Sequence, residues 1–235
     1  MKHILILGSL LLCVTACAQK KTIQERLGYP KETKLLIIHA DDIGVTHTEN
    51  AASIYAMEKG MVNSGSIMVP CPWFPEIAAY AVSHPKADLG LHLVLTAEWK
   101  HYKWGPVLHD KVPSLLTDQG FLTDGSVDLS KKASPEDVEK ELRAQIERAI
   151  QFGIDPTHLD SHMGMLYGDQ RFLEIYVKLG REYKMPVLIN AAFQQNWTNL
   201  DLSKVINDKD ILCDAIYTAT PSDYAGGMKL SLIHI

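Results

Sequence analysis

Excess positive charge is missing from this sequence. Its 23 Lys and Arg stand against 28 Asp and Glu, giving a net charge of −5 and a pI near 6.0. That balance argues against nucleic acid as the main partner. No internal repeat and no long low-complexity run is visible. Long apolar runs are also wanting: Ile4–Val14 is too short to cross a membrane comfortably. Cysteine is scarce, with four in 235 residues. Cys71 and Cys213 are far apart and follow no pattern, so they read as buried thiols before they read as a pair. What remains is ordinary globular composition, 46% hydrophobic and 22% charged, in a chain long enough for one large α/β domain.

The chain ends read separately. Lys2 and His3 precede the apolar run, which closes on Val14-Thr15-Ala16-Cys17. This is the form of a secretory signal. Its end resembles a bacterial lipobox, with cleavage before Cys17 and lipid on its thiol; the alternative is a plain signal cut near Ala18. Residues 1–16 are thus expected to be a lipoprotein signal peptide and residues 17–33 a polar tether, holding an exported domain at a bacterial membrane, on its periplasmic or cell-surface side. At the other end, Leu230–Ile235 matches the translation of a transposon-end adapter. We read these six residues as non-native, with the natural domain, residues 34–229, continuing beyond them.

The stretch Leu35–Asp42 is the centre of the chain. Four apolar residues suit a strand buried on both faces, and they run directly into Asp41 and Asp42. Carboxylates at the carboxyl end of such a strand look like a site at a strand tip. The plainer alternative is that one of them caps the next helix. Further strands are expected at 64–69, 88–95, 156–162 and 185–190, with a candidate at 210–217. Helices are expected at 46–60, 74–83, 134–153 and 170–183, so the order is that of parallel βαβ units. Residues 96–132 lack periodicity, and a segment that long inside a domain is usually functional. Its Trp99, Tyr102 and Trp104 either form a sugar-stacking surface or cover one end of the fold.

Three strand tips carry metal-type ligands: Asp41-Asp42, His92, and His158 with Asp160 and His162. Two imidazoles and a carboxylate leave room for water and substrate, as a catalytic site requires. There is no second full cluster to hold two metals, which disfavours a binuclear phosphoesterase. His39, within the first strand, reads as a core histidine.

His-Ala-Asp-Asp-Ile-Gly at 39–44, Gly-Leu-His-Leu at 90–93 and Pro-Thr-His-Leu-Asp-Ser-His at 156–162 resemble the three motifs of the YdjC-like carbohydrate deacetylases. That group contains diacetylchitobiose deacetylase and a hopanoid-biosynthesis deacetylase. The resemblance spans about Lys34–Asn190 and implies an irregular (β/α) barrel of the polysaccharide-deacetylase type, incomplete here at the C-terminus. It implies Asp42, His92 and His162 as ligands of one divalent ion, Mg²⁺ or Zn²⁺, and Asp41 as the catalytic base. Asp160 is then a supporting partner for a ligand histidine, and His158 a candidate acid or supporting group. The substrate implied is an N-acetylated sugar or oligosaccharide. Two departures stand out. Met163-Gly164-Met165 replace the further histidines with which the family often continues its third motif, and a late His-Pro segment is absent. Alternatives to N-deacetylation are hydrolysis of another bond on a similar barrel, or a carbohydrate-binding lipoprotein without catalysis.

Cys17→Ser is expected to release soluble protein or leave uncleaved precursor. Processed mature chain fractionating with membranes despite the substitution would refute the lipid anchor.

Overall fold

The computed structural model describes residues 21–125, 128–190, 200–213 and 216. Cys17, the signal segment and the tail at 230–235 lie outside them. The chain divides into two compact units, residues 1–35 with Ile235, and residues 36–234. The described part of the first holds a single helical turn, α1 (Ile23–Arg26), fixed by a capping box between Thr22 and Glu25. The expected tether therefore contains one local turn, because a reciprocal cap satisfies two N–H groups without tertiary help. No helix among the described residues is long and apolar enough to cross a membrane.

The second unit is built on a parallel sheet ordered β1 (His39–Ile43), β2 (Ser64–Ile67), β3 (Leu89–Leu93), β4 (Leu159–Ser161). Beyond β4 the chain bridges in parallel at Leu159–Val187 and again at Asn190–Cys213, so among the described residues the two later strand expectations, at 185–190 and 210–217, are met only by isolated bridges. Among the described residues the sheet stays open and no barrel closes. Helices α2 (His47–Glu58), α3 (Phe74–Ser83), α4 (Leu129–Lys132), α5 (Pro135–Gln151) and α6 (Gln170–Tyr183) occupy the connections. Their starts follow the caps. Thr46 accepts from Glu49 N, Ser134 from Asp137 N and Asp169 from Arg171 N. Since Thr46 caps α2, neither Asp41 nor Asp42 is spent as a cap.

One expectation fails. Leu36, Ile37 and Ile38 are not in the strand and are 47%, 66% and 46% exposed. The strand starts only at His39, and β1 is an edge of the described sheet, so no described strand covers the outer side of the run. The inner strands also alternate instead of being apolar throughout. Leu89, Leu91 and Leu93 share one face of β3, while Gly90 and His92 share the other. On that second face Ser64, Ser66, His92 and Asp160 are all buried. Gly90 is required there, because a Cβ would lie 2.5 Å from the ring of His158.

Residues 96–125 are ordered without much regular structure. A buried polar row on α5 holds them: Glu141 accepts from the N–H groups of Val107 and Leu108 at 2.8 and 3.1 Å, and Asp137 accepts from Ser114 N at 3.0 Å. Gln145 closes both free backbone groups of Val94 at the tip of β3. Cys71 and Cys213 are both thiols.

Candidate active site

A bulge opens the site. Pairing of β1 with β2 shifts register between Ala40 and Ile43, and Asp42 adopts φ 61°. In a regular strand two consecutive side chains point to opposite faces; the bulge re-aims one of them. Asp41 and Asp42 therefore both reach His92: one ligand group of the described residues is Asp42, His92 and His162, another is Asp41, His92 and Asp160. The left-handed backbone costs about 1–2 kcal/mol for a non-glycine residue, least for Asp and Asn. Buried Asn50 on α2 holds the turn that follows, accepting from Gly44 N at 2.7 Å and donating to Trp73 O and Glu76.

The geometry around Asp42 has a repeated form. Its Oδ1 lies 3.3 Å from His92 Nε2 and 3.0 Å from His162 Nδ1. The other nitrogen of each ring meets a second carboxylate: His92 Nδ1 with Asp160 Oδ1 at 2.6 Å, and His162 Nε2 with Glu98 Oε2 at 3.0 Å. Ligands about 2.1 Å from an ion stand roughly 3.0 Å apart at a right angle and roughly 3.4 Å apart at the tetrahedral angle. The two oxygen–nitrogen separations fall in this range, and both imidazoles are backed as metal-binding histidines usually are.

Asp160, 3% exposed, is fully partnered. Besides His92 it accepts from Ser66 Oγ at 2.8 Å and faces His39 Nε2 at 3.2 Å. His39 is the expected structural histidine, with both nitrogens bonded to serines, yet its Nε2 is also 3.4 Å from Asp41 Oδ1. His158 packs edge-on against His39, ring centroids 5.1 Å apart, and bonds to Thr157. It thus sits next to His39 and Asp160, outside the group formed by Asp42, His92 and His162. After His162 the chain turns through two residues of positive φ, Met163 and Gly164, leaving Met163 exposed.

Two carboxyls escaped the reading of the sequence. Glu98 lies in the aperiodic stretch and gave no pattern; its one signal is its place just beyond the buried run at the tip of β3. Glu49 is a first-turn acid of α2, a common place for a carboxylate, and so gave no signal. Burial, with the charges of Asp42 and Asp41, pushes its carboxyl up to about 7.

The adjacent aspartates differ electrostatically. Burial raises both, but hydrogen bonds from His162 and His92 reverse this at Asp42 and hold it well below the usual carboxylate range. Asp41 has no such bonds. Protein crowds it although its side chain is 60% exposed, and that desolvation raises its pKa, with the charge of Asp160 adding. Burial alone would lower His92, but the Asp160 carboxylate raises it to about 10. Asp160 goes well down, burial being outweighed by His92 and His39.

A family model described as YdjC-like protein matches residues 35–228. A carbohydrate deacetylase of Thermus thermophilus is 35% identical over 170 residues, covering 72% of this chain and 58% of the relative. Another carbohydrate deacetylase, from Brevibacillus brevis, is 38% identical over 152 residues, covering 65% and 58%. The chain thus spans less than two thirds of the length of these relatives. A crystal structure from Enterococcus faecalis, named for cellobiose-phosphate cleavage, superposes with a TM-score of 0.69 at 27% identity, covering 84% of this chain and 73% of that one.

The pKa shifts set a pH window for the chain free of metal. Asp42 and Asp160 are depressed, so their contribution is present above the unfolded value of about 3.9 and fades as pH falls below it. His92 is raised, so its contribution is full below about 6.5 and is lost as pH climbs through about 10. Thermal unfolding in chelator should therefore show greatest stability between about pH 4 and pH 6.5. A Tm that keeps rising from pH 7 to pH 10 would contradict this.

Proposed function

The chain belongs to the YdjC-like family, and on that premise we propose that it is a metal-dependent hydrolase that removes N-acetyl groups from an amino sugar or oligosaccharide. The observation that carries the reading is the Asp42–His92–His162 group with Asp41 beside it. Asp42 Oδ1, His92 Nε2 and His162 Nδ1 would hold one divalent ion. Such an ion polarises the acetamide carbonyl and lowers the pKa of bound water, to about 7 in the best zinc cases.

Asp41 accepts the proton of the attacking water. It suits this role because it is the more accessible carboxyl of the pair, and a pKa shifted upward makes it a better base. Asp42 suits a ligand because it stays ionised. Asp160 holds the Nδ1–H of His92, which leaves Nε2 free to bind. His158, the candidate acid, touches His39 and no member of the ligand group, so its position favours a supporting role. Imidazole suits zinc, whereas magnesium prefers oxygen donors, so two nitrogens and one oxygen favour zinc of the two.

The complete protein is read as an irregular (β/α) barrel, supported by the parallel βαβ order and the superposition at 0.69. An exported location with lipid on Cys17 belongs to the same proposal and rests on the sequence of residues 1–17. A second reading, cleavage of a sugar phosphate, draws on the name of the structural relative. Release of acetate from N-acetylated chitooligosaccharides, set against cleavage of a phosphorylated disaccharide, separates the two.

Asp41→Asn is expected to retain the metal and lose about 10²–10⁴ in acetate release. Near-normal turnover by the metal-loaded variant would remove Asp41 from the mechanism.

The aromatic stretch divides its work. Trp104 is buried and donates its indole N–H to Thr96 O at 2.9 Å, so it covers the fold. Trp99 packs against Tyr102 and Trp104 and stays 44% exposed, one residue from Glu98. We assign it to stacking on a sugar ring. Trp99→Ala should raise KM for chitooligosaccharides several-fold with kcat little changed; an unchanged KM would discard the assignment.

A further inference from the structure

We propose that Glu98 is a positioning residue: it takes the Nε2–H of His162 and so fixes the Nδ1 lone pair on the side of Asp42. The inference rests on the metal reading of the site and goes beyond its three ligands.

Three observations support it. First, a neutral imidazole has one donor and one acceptor nitrogen, and His162 has carboxylate oxygens 3.0 Å from both. Two carboxylates are both satisfied either by a protonated ring, which donates from both nitrogens, or by a neutral ring with a cation standing between one of them and the ring; with the ion of the proposed function bound, the ring is neutral. Glu98 then accepts the single N–H, and Nδ1 and Asp42 Oδ1 share the cation. The side chain of His162 is only 3% exposed, so water is a poor substitute for that acceptor. Second, the same arrangement recurs at His92, where Asp160 takes Nδ1 and leaves Nε2 toward Asp42. Glu98 is the counterpart of Asp160 with the ring turned round. Third, Glu98 stands outside the group whose ligand atoms lie within 4.8 Å of one another, so it backs a ligand without being one.

The chain leading to Glu98 is held firmly enough for this task. Ala97 N donates to Thr123 O at 2.7 Å, and Lys103 Nζ donates to Ala97 O at 2.6 Å. The Trp104 indole bonds to Thr96 O, and its ring lies 6.4 Å from that of His162. A carboxylate on so short and anchored a stem has little freedom to leave the ring.

The test is Zn²⁺ affinity of the 235-residue chain, measured by competition with a chromophoric chelator, for wild type, Glu98→Ala and Glu98→Gln. Loss of an outer carboxylate typically costs about 10–100-fold in metal affinity, and Glu98→Ala should fall in that range with an unchanged circular dichroism spectrum. Glu98→Gln keeps a carbonyl acceptor and should recover most of the loss. Wild-type affinity in Glu98→Ala, or a Gln variant no better than Ala, would overturn the proposal and leave the metal reading standing. A wild-type chain that takes no Zn²⁺ would overturn both. One measurement needs no folded variant: the ¹⁵N shifts of the His162 ring in the zinc-loaded wild type should place its proton on Nε2. A proton on Nδ1 would refute the role of Glu98.

Discussion

A buried carboxylate on β4 governs how this site is built. Asp160 is 3% exposed, and an unpaired charge at that depth would cost several kcal/mol. Its bonded partners are accordingly donors: His92 at 2.6 Å, Ser66 at 2.8 Å and His39 at 3.2 Å. These partners come from β3, β2 and β1 in turn, so one side chain on β4 makes the polar composition of the whole inner face necessary. The serines at 64 and 66 and the glycine at 90 belong to the same requirement. Each is small, and the space they leave is taken by the rings of His39 and His158.

The second constraint is the bulge. Without it Asp41 and Asp42 would face opposite sides of β1, and only one could meet His92. With it, two chemically identical neighbours fall into different environments. Asp42 is tied to two imidazoles and stays ionised, while Asp41 remains accessible and is pushed toward protonation. Environments that drive the pKa values of adjacent acids apart are what assign them different roles. The strain of a left-handed aspartate is tolerated because Asn50 takes the Gly44 N–H in the turn just beyond.

Much of this was legible before the structure. The caps at Thr46, Ser134 and Asp169 obey local rules, so the helices fell where the sequence put them. Ligand-type residues recurring at successive strand tips drew attention to Asp41, Asp42, His92, His158, Asp160 and His162, and the resemblance to the YdjC-like family singled out Asp42, His92 and His162 among them. Failures came where tertiary context decides. Leu36–Ile38 looks like an interior strand, but periodicity cannot report that the outer edge of β1 has no described neighbour. Glu98 is a single acid in an aperiodic segment; only folding shows that it meets a histidine 64 positions away. His39 was read as a core histidine, and its bonds to two serines agree. Its approach to Asp41 follows from a spacing of two along a strand, a signal that was available and went unused.

The helix α5 connects the fold to the chemistry. Its apolar stripe of Val138, Leu142, Ile146 and Ala149 is buried, while Ile150, expected in the same stripe, is 45% exposed. The same helix buries Asp137, Glu141 and Gln145, which an amphipathic reading would send to solvent. Their targets are backbone groups of the segment that follows β3, which has few partners of its own because it forms little sheet or helix. Buried polar side chains thus replace regular secondary structure over residues 96–115. That allows an irregular segment to hold a carboxylate against His162 and an exposed tryptophan beside it. Irregular backbone can carry a site when a rigid neighbouring helix supplies the hydrogen bonds it lacks.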